Sequence, residues 1–186
     1  MKFVLFVKRI YAYNNSMKNF ILVSAACGVG KTTIKDEINS KNLLENYICI
    51  DTDEVGINWW DYAGTENESQ FSVDCIKEAV KLSEDKNLVF FGCLNPADFL
   101  LKIDIPEEIT SSYFIGMSCS DEEITRRLKA RPAERMCGSD EFIASQIEYN
   151  NWFKKNTGKF NFYIDNTNQT IAETALQIAN FIKKAV

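Results

Sequence analysis

The sequence predicts a single α/β domain with three layers, in which helices cover both faces of a five-stranded parallel sheet. Apolar runs that predict strands alternate along the chain with segments whose apolar residues recur at helical spacing. The run at 88–94, LVFFGCL, is continuously apolar, as expected for a strand buried on both faces of a parallel sheet. The chain has 186 residues, which is enough for one domain with a substantial core.

Composition excludes several classes of function. The net charge is −5 and no basic stripe is present, so we expect no nucleic-acid partner. The chain contains six cysteines without a CxxC pair and has no histidine, which argues against a Cys/His zinc site and a Cys-His nucleophile. Most of these cysteines are interpreted as reduced core residues, and this favours a cytoplasmic location. They are Cys27, Cys49, Cys75, Cys93, Cys119 and Cys137.

The N-terminal residues 1–17 are treated as an extension, and residues 18–186 as the domain. The apolar run within 1–13 is too short to span a membrane, and no small-residue cleavage site follows it. We therefore expect neither a membrane anchor nor a signal peptide. The extension either adds an edge strand or lies upstream of a true start at Met17, and it is given no functional role.

The segment 20–33, FILVSAACGVGKTT, predicts a phosphate-binding loop between a buried strand and a helix. In such a loop the backbone N–H groups and the helix N-terminus bind phosphates, while Lys31 supplies a positive charge and Thr32 a ligand for Mg²⁺. Ala25 stands where the pattern GxxxxGK[ST] has its first glycine, so the loop either begins in an ordinary conformation or makes a different first turn. The candidate nucleotide-binding residues here are Ala26, Cys27, Gly28, Val29, Gly30, Lys31, Thr32 and Thr33.

Two carboxylates follow the second predicted strand. A helix from Thr32 to about Glu45 leads to a strand at 47–50, which ends in Asp51 and Asp53. Residues two apart on an extended chain point the same way, so the pair predicts a site at the carboxyl edge of the sheet. Asp51 is the candidate for holding Mg²⁺, and Asp53 for taking a proton from an acceptor hydroxyl. The alternative is a solvated turn with a helix cap.

Candidate acceptor contacts follow in the loop 56–64 and after the third strand. Trp59, Trp60 and Tyr62 suit stacking on a base or sugar, although a tryptophan that closes the core explains them equally well. A helix over 68–85 precedes the strand at 88–94, after which Asn95 offers a polar group.

No acidic residue lies directly on the strand at 88–94. A carboxylate that supports the metal in many phosphate-loop ATPases is therefore missing, and Asp51 or Asp98 has to take that role.

The second half of the chain repeats the alternation. A helical turn is expected at 106–111, a strand at 113–118, a helix at 140–155 and a strand at 160–164. Thr170 to Glu173 forms a capping box at the start of the last helix.

Four of the five arginines cluster between these elements. A capping box at 120–123 begins a helix that carries Arg126 and Arg127, and Arg131 and Arg135 follow. We interpret residues 126–140 as a small helical lid whose guanidinium groups neutralise charge during phosphoryl transfer. A solvated helix with surface arginines is the alternative.

With these motifs in order, residues 18–186 resemble the P-loop small-molecule kinases, which include gluconate, shikimate, nucleoside and nucleoside monophosphate kinases. The resemblance implies a P-loop NTPase fold that binds ATP and Mg²⁺ through Lys31 and Thr32. It places Asp53 on the acceptor and Asp51 nearer the metal.

The same resemblance assigns roles in the second half of the chain. Arg127 would pack on adenine, and Arg131 and Arg135 would contact phosphates. Asn166, in the loop after the last strand, would edge the adenine.

Two functions remain open: a kinase for a small hydroxyl compound, and a nucleotide-binding regulatory protein without an acceptor. The Asp pair and the lid favour the kinase. No arginine occurs between Ile10 and Thr125, and an acceptor phosphate is held best by guanidinium groups. The acceptor is therefore expected to be uncharged, a nucleoside first and a sugar next, rather than a nucleoside monophosphate. The protein is expected to act as a monomer or homodimer.

Overall fold

A computed structural model describes residues 18–94 and 106–186, which contain five strands and five α-helices. The strands are β1 (Lys18–Ser24), β2 (Tyr47–Asp51), β3 (Asn87–Gly92), β4 (Ile109–Ser118) and β5 (Phe162–Asp165). The helices are α1 (Lys31–Ser40), α2 (Gln70–Leu82), α3 (Asp121–Lys129), α4 (Asp140–Lys155) and α5 (Ile171–Ala185). The N-terminal extension and the predictions for Asn95 and Asp98 lie outside the described residues.

All strand pairs are parallel, and the sheet has the order β2-β3-β1-β4-β5. The chain moves from β1 to one side of the sheet for β2 and β3 and then crosses to the other side for β4 and β5. Such a reversal opens a crevice at the carboxyl end of the central strand, where ligands bind in open α/β sheets. The loop after β1 therefore lies at this crevice.

The central strand β1 shows why the fold has three layers. Successive side chains of a strand point to opposite faces, so Ile21 and Val23 pack with α1 and α5, whereas Phe20 and Leu22 pack with α2. All four side chains are fully buried. A strand apolar on both faces needs helices on both sides, and the predicted fold class is confirmed.

Several element boundaries differ from the sequence expectation: the helix expected over 68–85 spans 70–82, for example, and the strand expected over 88–94 spans 87–92. Helix α1 ends at Ser40 rather than near Glu45, because Asn42 takes a left-handed conformation with φ 48°. The expected helical turn at 106–111 is wrong in its second half, because β4 begins at Ile109 and pairs with β1 from Lys18 onward. Strand β5 begins at 162 instead of 160. Pairing within the sheet sets the starts of β4 and β5 in place of the local sequence pattern.

No helix within the described residues is both long enough and apolar enough to span a membrane.

Candidate functional site

The loop between β1 and α1 has the backbone geometry of a phosphate-binding loop. Gly28 and Gly30 take left-handed φ values of 88° and 107°, which side-chain-bearing residues adopt rarely. A Cβ on Gly28 would also lie 3.1 Å from Cγ of Leu128. Ala25 does not have a positive φ, and its N–H donates to the Gly92 carbonyl at 3.3 Å. The loop therefore begins in an ordinary conformation, which resolves the question that Ala25 raised.

Lys31 lies at the centre of the loop with its side chain folded back along it. Its Nζ donates to the carbonyls of Ala25 at 2.8 Å and Ala26 at 3.0 Å, and it lies 3.1 Å from Sγ of Cys93. Lys31 is only 8% exposed and forms no ion pair within the described part of the chain. A buried ammonium held by two neutral carbonyls and the Cys93 sulfur is a site for an anion.

Thr32 and Asp51 form the second part of the site. Oγ1 of Thr32 donates to Oδ2 of Asp51 at 2.8 Å, and Asp51 is 4% exposed. The other Asp51 oxygen accepts from Thr52 Oγ1 at 3.1 Å and from the Asp53 N–H at 3.3 Å. A hydroxyl beside a carboxylate is the kind of hard oxygen donor set that Mg²⁺ prefers. These residues fit a magnesium ion, with Thr32 and Asp51 as the groups that would hold it.

The extended chain expected between Asp51 and Asp53 is wrong, although both residues line one cleft. A 3₁₀ turn over Thr52–Glu54 begins immediately after β2, so the chain is no longer extended between the two carboxylates. Asp51 points inward and caps this turn, as the alternative interpretation held. The Asp53 side chain is 67% exposed, and its Oδ2 lies 3.5 Å from Nη1 of Arg135.

Arg127 and Asn166 both bond the loop itself. Nη1 of Arg127 donates to the carbonyls of Gly28 at 3.3 Å and Val29 at 2.8 Å, and Nδ2 of Asn166 donates to the same Val29 carbonyl at 2.9 Å. The structure thus brings both predicted residues to the loop from α3 and from the β5–α5 connection. Contact of either residue with adenine stays a prediction.

Glu123 orients Arg127 from one turn earlier on α3. Its Oε1 accepts from Nε of Arg127 at 2.9 Å and from Nη2 of Arg126 at 2.6 Å. The hydrogen bonds and charge of Arg126, reinforced by those of Arg127, lower the pKa of Glu123 to about 2. Sequence reasoning read Glu123 only as part of a capping box, but its carboxylate bonds the two arginines instead of completing that box.

The remaining lid arginines lie on the same side of the molecule. Arg131 lines a cleft together with Lys31 and Asp51, whereas Arg135 is exposed at the rim beside Asp53. The predicted lid, residues 126–140, consists of the end of α3, a 3₁₀ turn at 133–135 and the start of α4. Its closure over a nucleotide stays a prediction.

The aromatic loop divides between packing and exposure. Trp59 and Tyr62 contact Phe71 of α2 edge-on, with ring centroids 5.0 and 5.5 Å apart, and Tyr62 donates to Asp74 at 2.9 Å. Trp60 is 70% exposed. None of the three aromatic residues lines the cleft, so their contact with an acceptor stays a prediction.

Two cleft residues differ from the expectation that cysteines fill the core. Cys93 is exposed directly after β3, and Cys27 is partly exposed in the loop. Sequence reasoning missed the contact of Cys93 with Lys31. Cys93 follows β3, the strand that carries no acidic residue for the metal. Sequence reasoning also missed Gln146 of α4, whose Oε1 accepts from the Cys27 N–H at 2.8 Å, because nothing in its surroundings distinguishes it.

Comparison with known proteins identifies the family. A family model described as "AAA domain" matches residues 21–148, which include the loop, Asp51, Asp53 and the clustered arginines. The chain belongs to this AAA domain family. A search of curated proteins finds no match.

Solved structures of small-molecule kinases share the fold of this AAA domain protein. Shikimate kinase from Acinetobacter baumannii is 18% identical with a TM-score of 0.58, covering 92% of this chain and 96% of its own. A gluconokinase from Sinorhizobium meliloti 1021 is 13% identical with a TM-score of 0.58, covering 91% and 95%. Deoxyadenosine kinase from M. mycoides is 17% identical with a TM-score of 0.54, covering 90% and 100%. The resemblance to P-loop small-molecule kinases is confirmed at the level of the fold.

Proposed function

We propose that this protein is an ATP-dependent phosphotransferase that moves the γ-phosphoryl of Mg-ATP to a hydroxyl of an uncharged small molecule. One observation carries the proposal. Lys31, Thr32, Asp51, Asp53 and Arg131 line a single cleft at the carboxyl end of the sheet. This set combines positive charge for phosphates, an oxygen pair for a metal and an exposed carboxylate, which are the groups that phosphoryl transfer requires.

The chain's contribution to catalysis is positioning and charge neutralisation. ATP is the phosphoryl donor of the proposed reaction. Thr32 and Asp51 would hold Mg²⁺, which when bound would neutralise part of the phosphate charge. The N–H groups of the loop orient the phosphates, and Lys31 and Arg131 stabilise the negative charge that shifts during transfer. Arg127 and Asn166 keep the loop in its bent conformation by holding the Val29 carbonyl.

Asp53 is proposed to act on the acceptor. Its Oδ2 lies beside Arg135, so Oδ1 is the oxygen placed to accept the hydrogen bond from an acceptor hydroxyl. As the hydroxyl oxygen bonds to phosphorus, its proton passes to this carboxylate and then to solvent. The exposure of Asp53 keeps that route open to water.

The acceptor class is inferred from charge and surface. The described stretch from Lys18 to Leu94, which includes the loop 56–64, contains no arginine to hold an acceptor phosphate in a bidentate manner. The exposed ring of Trp60 offers a stacking surface for a base or a sugar face. These two observations favour a nucleoside, and then a sugar, over a nucleoside monophosphate. One of the kinases that share the fold acts on deoxyadenosine, according to its name.

The proposal includes the setting of the activity. All six cysteines are unpaired, which suits a reducing cytoplasm. The protein is proposed to act as a monomer or homodimer, without nucleic acid or membrane as a partner.

The test is a coupled assay of ADP formation with equal concentrations of nucleosides, nucleoside monophosphates, gluconate and shikimate, each compared with ATP alone. We expect one nucleoside or sugar to raise ADP formation far above the rate of ATP hydrolysis. Preference for a nucleoside monophosphate, or for gluconate or shikimate, would contradict the proposal that the acceptor is uncharged. Nucleotide binding without stimulation by any acceptor would favour a regulatory protein that uses the loop as a switch.

A further inference from the structure

Two thiols meet across the cleft, next to the ammonium of Lys31. Sγ of Cys27 in the loop lies 3.5 Å from Sγ of Cys93 after β3, and Nζ of Lys31 lies 3.1 Å from the latter sulfur. Cys93 is exposed and Cys27 partly exposed, so a small reagent in solvent reaches the pair. The other four cysteines are buried. They are Cys49, Cys75, Cys119 and Cys137.

The surroundings distinguish the two sulfurs chemically. The hydrogen bond with Cys27, together with the positive charge of Lys31, lowers the pKa of Cys93, and the same bond raises the pKa of Cys27. Burial instead raises the pKa of Cys49 and of Cys75 to about 12. Because the thiolate is the reactive form, Cys93 is the nucleophile of the pair and Cys27 the thiol that resolves it.

We propose that Cys27 and Cys93 form an oxidation site for peroxides, at which a reversible disulfide closes across the cleft and prevents binding of nucleotide phosphates. The Cys93 thiolate attacks one peroxide oxygen, the O–O bond breaks, and the leaving oxygen takes a proton to become water. Cys27 then attacks the sulfenic sulfur of Cys93, the S–S bond forms, and the S–O oxygen leaves as a second water with the Cys27 proton. Two thiols are oxidised and one hydrogen peroxide is reduced to two waters.

Little movement is needed to form the bond. The sulfurs must approach from 3.5 Å to about 2.05 Å, the length of a disulfide. Exposed disulfides of this kind are the labile, regulatory ones, and in reducing compartments they form transiently.

The disulfide would restrain the phosphate-binding loop. It ties the loop at Cys27 to the end of β3, and both cysteines line the same cleft as Lys31 and Thr32. The loop then loses the freedom to adjust around phosphates. This consequence rests on the proposed nucleotide binding, whereas formation of the disulfide does not.

The first measurement is the intact mass of the purified protein during titration with hydrogen peroxide, followed by peptide mapping without reductant. We expect a loss of about 2 Da, because two hydrogens leave, and a cross-linked peptide that joins Cys27 to Cys93. Cys93→Ser and Cys27→Ser should abolish the cross-link. Cys75→Ala, which removes a buried cysteine outside the cleft, should retain it. A different cysteine pair, or only sulfinic acid at Cys93, would overturn the proposal.

The second measurement is binding of a fluorescent ATP analogue to reduced, oxidised and re-reduced protein. We expect the affinity to fall at least about tenfold on oxidation, equivalent to about 1.4 kcal/mol, and to return with dithiothreitol. Peroxide should leave binding by Cys93→Ser unchanged. If cross-linked and reduced protein bind the analogue with equal affinity, the proposal that the disulfide prevents nucleotide binding is overturned. A reduced protein that binds no nucleotide while the cross-link still forms would refute the proposed function and leave the oxidation site standing.

Discussion

The part of the site proposed to bind phosphates and the part proposed to bind the acceptor are built differently. On the phosphate side, Lys31 and Asp51 are buried, and Arg127 and Asn166 hold the loop by its carbonyls. On the side proposed for the acceptor, Trp60 is exposed outside the cleft lining, and the carboxylate of Asp53 has one long contact to an exposed arginine within the described residues. One side is pre-organised by many hydrogen bonds, whereas the other presents groups to solvent.

We expect substitutions on the two sides to affect different kinetic constants. Pre-organised donors stabilise charge without rearranging during the reaction, so changes on the phosphate side should affect turnover with every acceptor. Exposed groups contribute through contacts with a particular compound, so changes on the acceptor side should affect its KM. A phosphate-side variant that changes only the acceptor KM, or an acceptor-side variant that lowers turnover with every acceptor, would contradict this division.

The largest effect is expected from Lys31→Ala. Its ammonium is the buried positive charge of the loop, and loss of one such group costs about 10²–10³ in kcat. Phosphoryl transfer should fall to background in a coupled assay while circular dichroism stays native-like. Lys77→Ala, which removes an exposed lysine on α2, is the matched control and should be fully active. Unchanged turnover in folded Lys31→Ala would contradict the account.

Substitution of the two carboxylates should separate metal from acceptor. Asp53→Asn should lower kcat about 10²-fold or more with ATP affinity kept, because it removes the proposed base. Asp51→Asn keeps an oxygen for Thr52 and the Asp53 N–H but loses charge, and it should raise the Mg²⁺ requirement about tenfold or more. Titration of the rate against ATP measures the ATP affinity of each variant, and titration against Mg²⁺ measures its metal requirement. If both variants only lose stability together, the pair is structural.

Trp60→Ala tests the acceptor side alone. Stacking of a base on an aromatic ring contributes about 1–3 kcal/mol, so the acceptor KM should rise roughly 5- to 150-fold with the KM for ATP unchanged. Because the ring is exposed, the free energy of unfolding should change by less than about 0.5 kcal/mol. Leu176→Ala, an exposed apolar residue on α5, controls for loss of surface area. An equal change in both KM values would place Trp60 outside the acceptor site.

The smallest effect is a pH dependence from Glu123. Its pKa falls from 4.5 to about 2 in the folded protein, so its ion pairs stabilise the fold fully above pH 4.5 and lose this contribution as pH drops through 2. Urea midpoints for wild type and Glu123→Gln should therefore differ at pH 6 and converge near pH 2. Glu122→Gln, on the same turn but exposed, should follow the wild type. Parallel curves at all pH values would show that the ion pairs do not act through this carboxyl.

The phosphate-binding loop could be predicted from the sequence because the residues that define it lie close together in the chain. A strand, two glycines, a lysine and a threonine within one short segment define the loop, and the structure places Lys31, Thr32 and Asp51 together as expected. The same holds for the layer order, since apolar periodicity specifies which elements need burial.

The acceptor side was harder to predict because it depends on how the chain turns after each strand. The chain from Asp51 to Asp53 forms a short 3₁₀ turn instead of the extended chain that was expected. The contact between Cys27 and Cys93, 66 positions apart, depends on β3 lying beside β1 in the sheet. No local pattern predicts that adjacency, so the sequence indicated Cys27 only as part of the phosphate-binding loop and gave no role to Cys93.

The central claim is that the cleft transfers a phosphoryl group rather than only binding or hydrolysing a nucleotide. The most direct test uses ATP labelled with ¹⁸O in the γ-phosphoryl group, a mixture of nucleosides and sugars, and mass spectrometry of the products. The account predicts that the label appears in a phosphate ester of one nucleoside or sugar, and that this product is absent with Lys31→Ala. Label found only in inorganic phosphate, whichever compounds are offered, would contradict it.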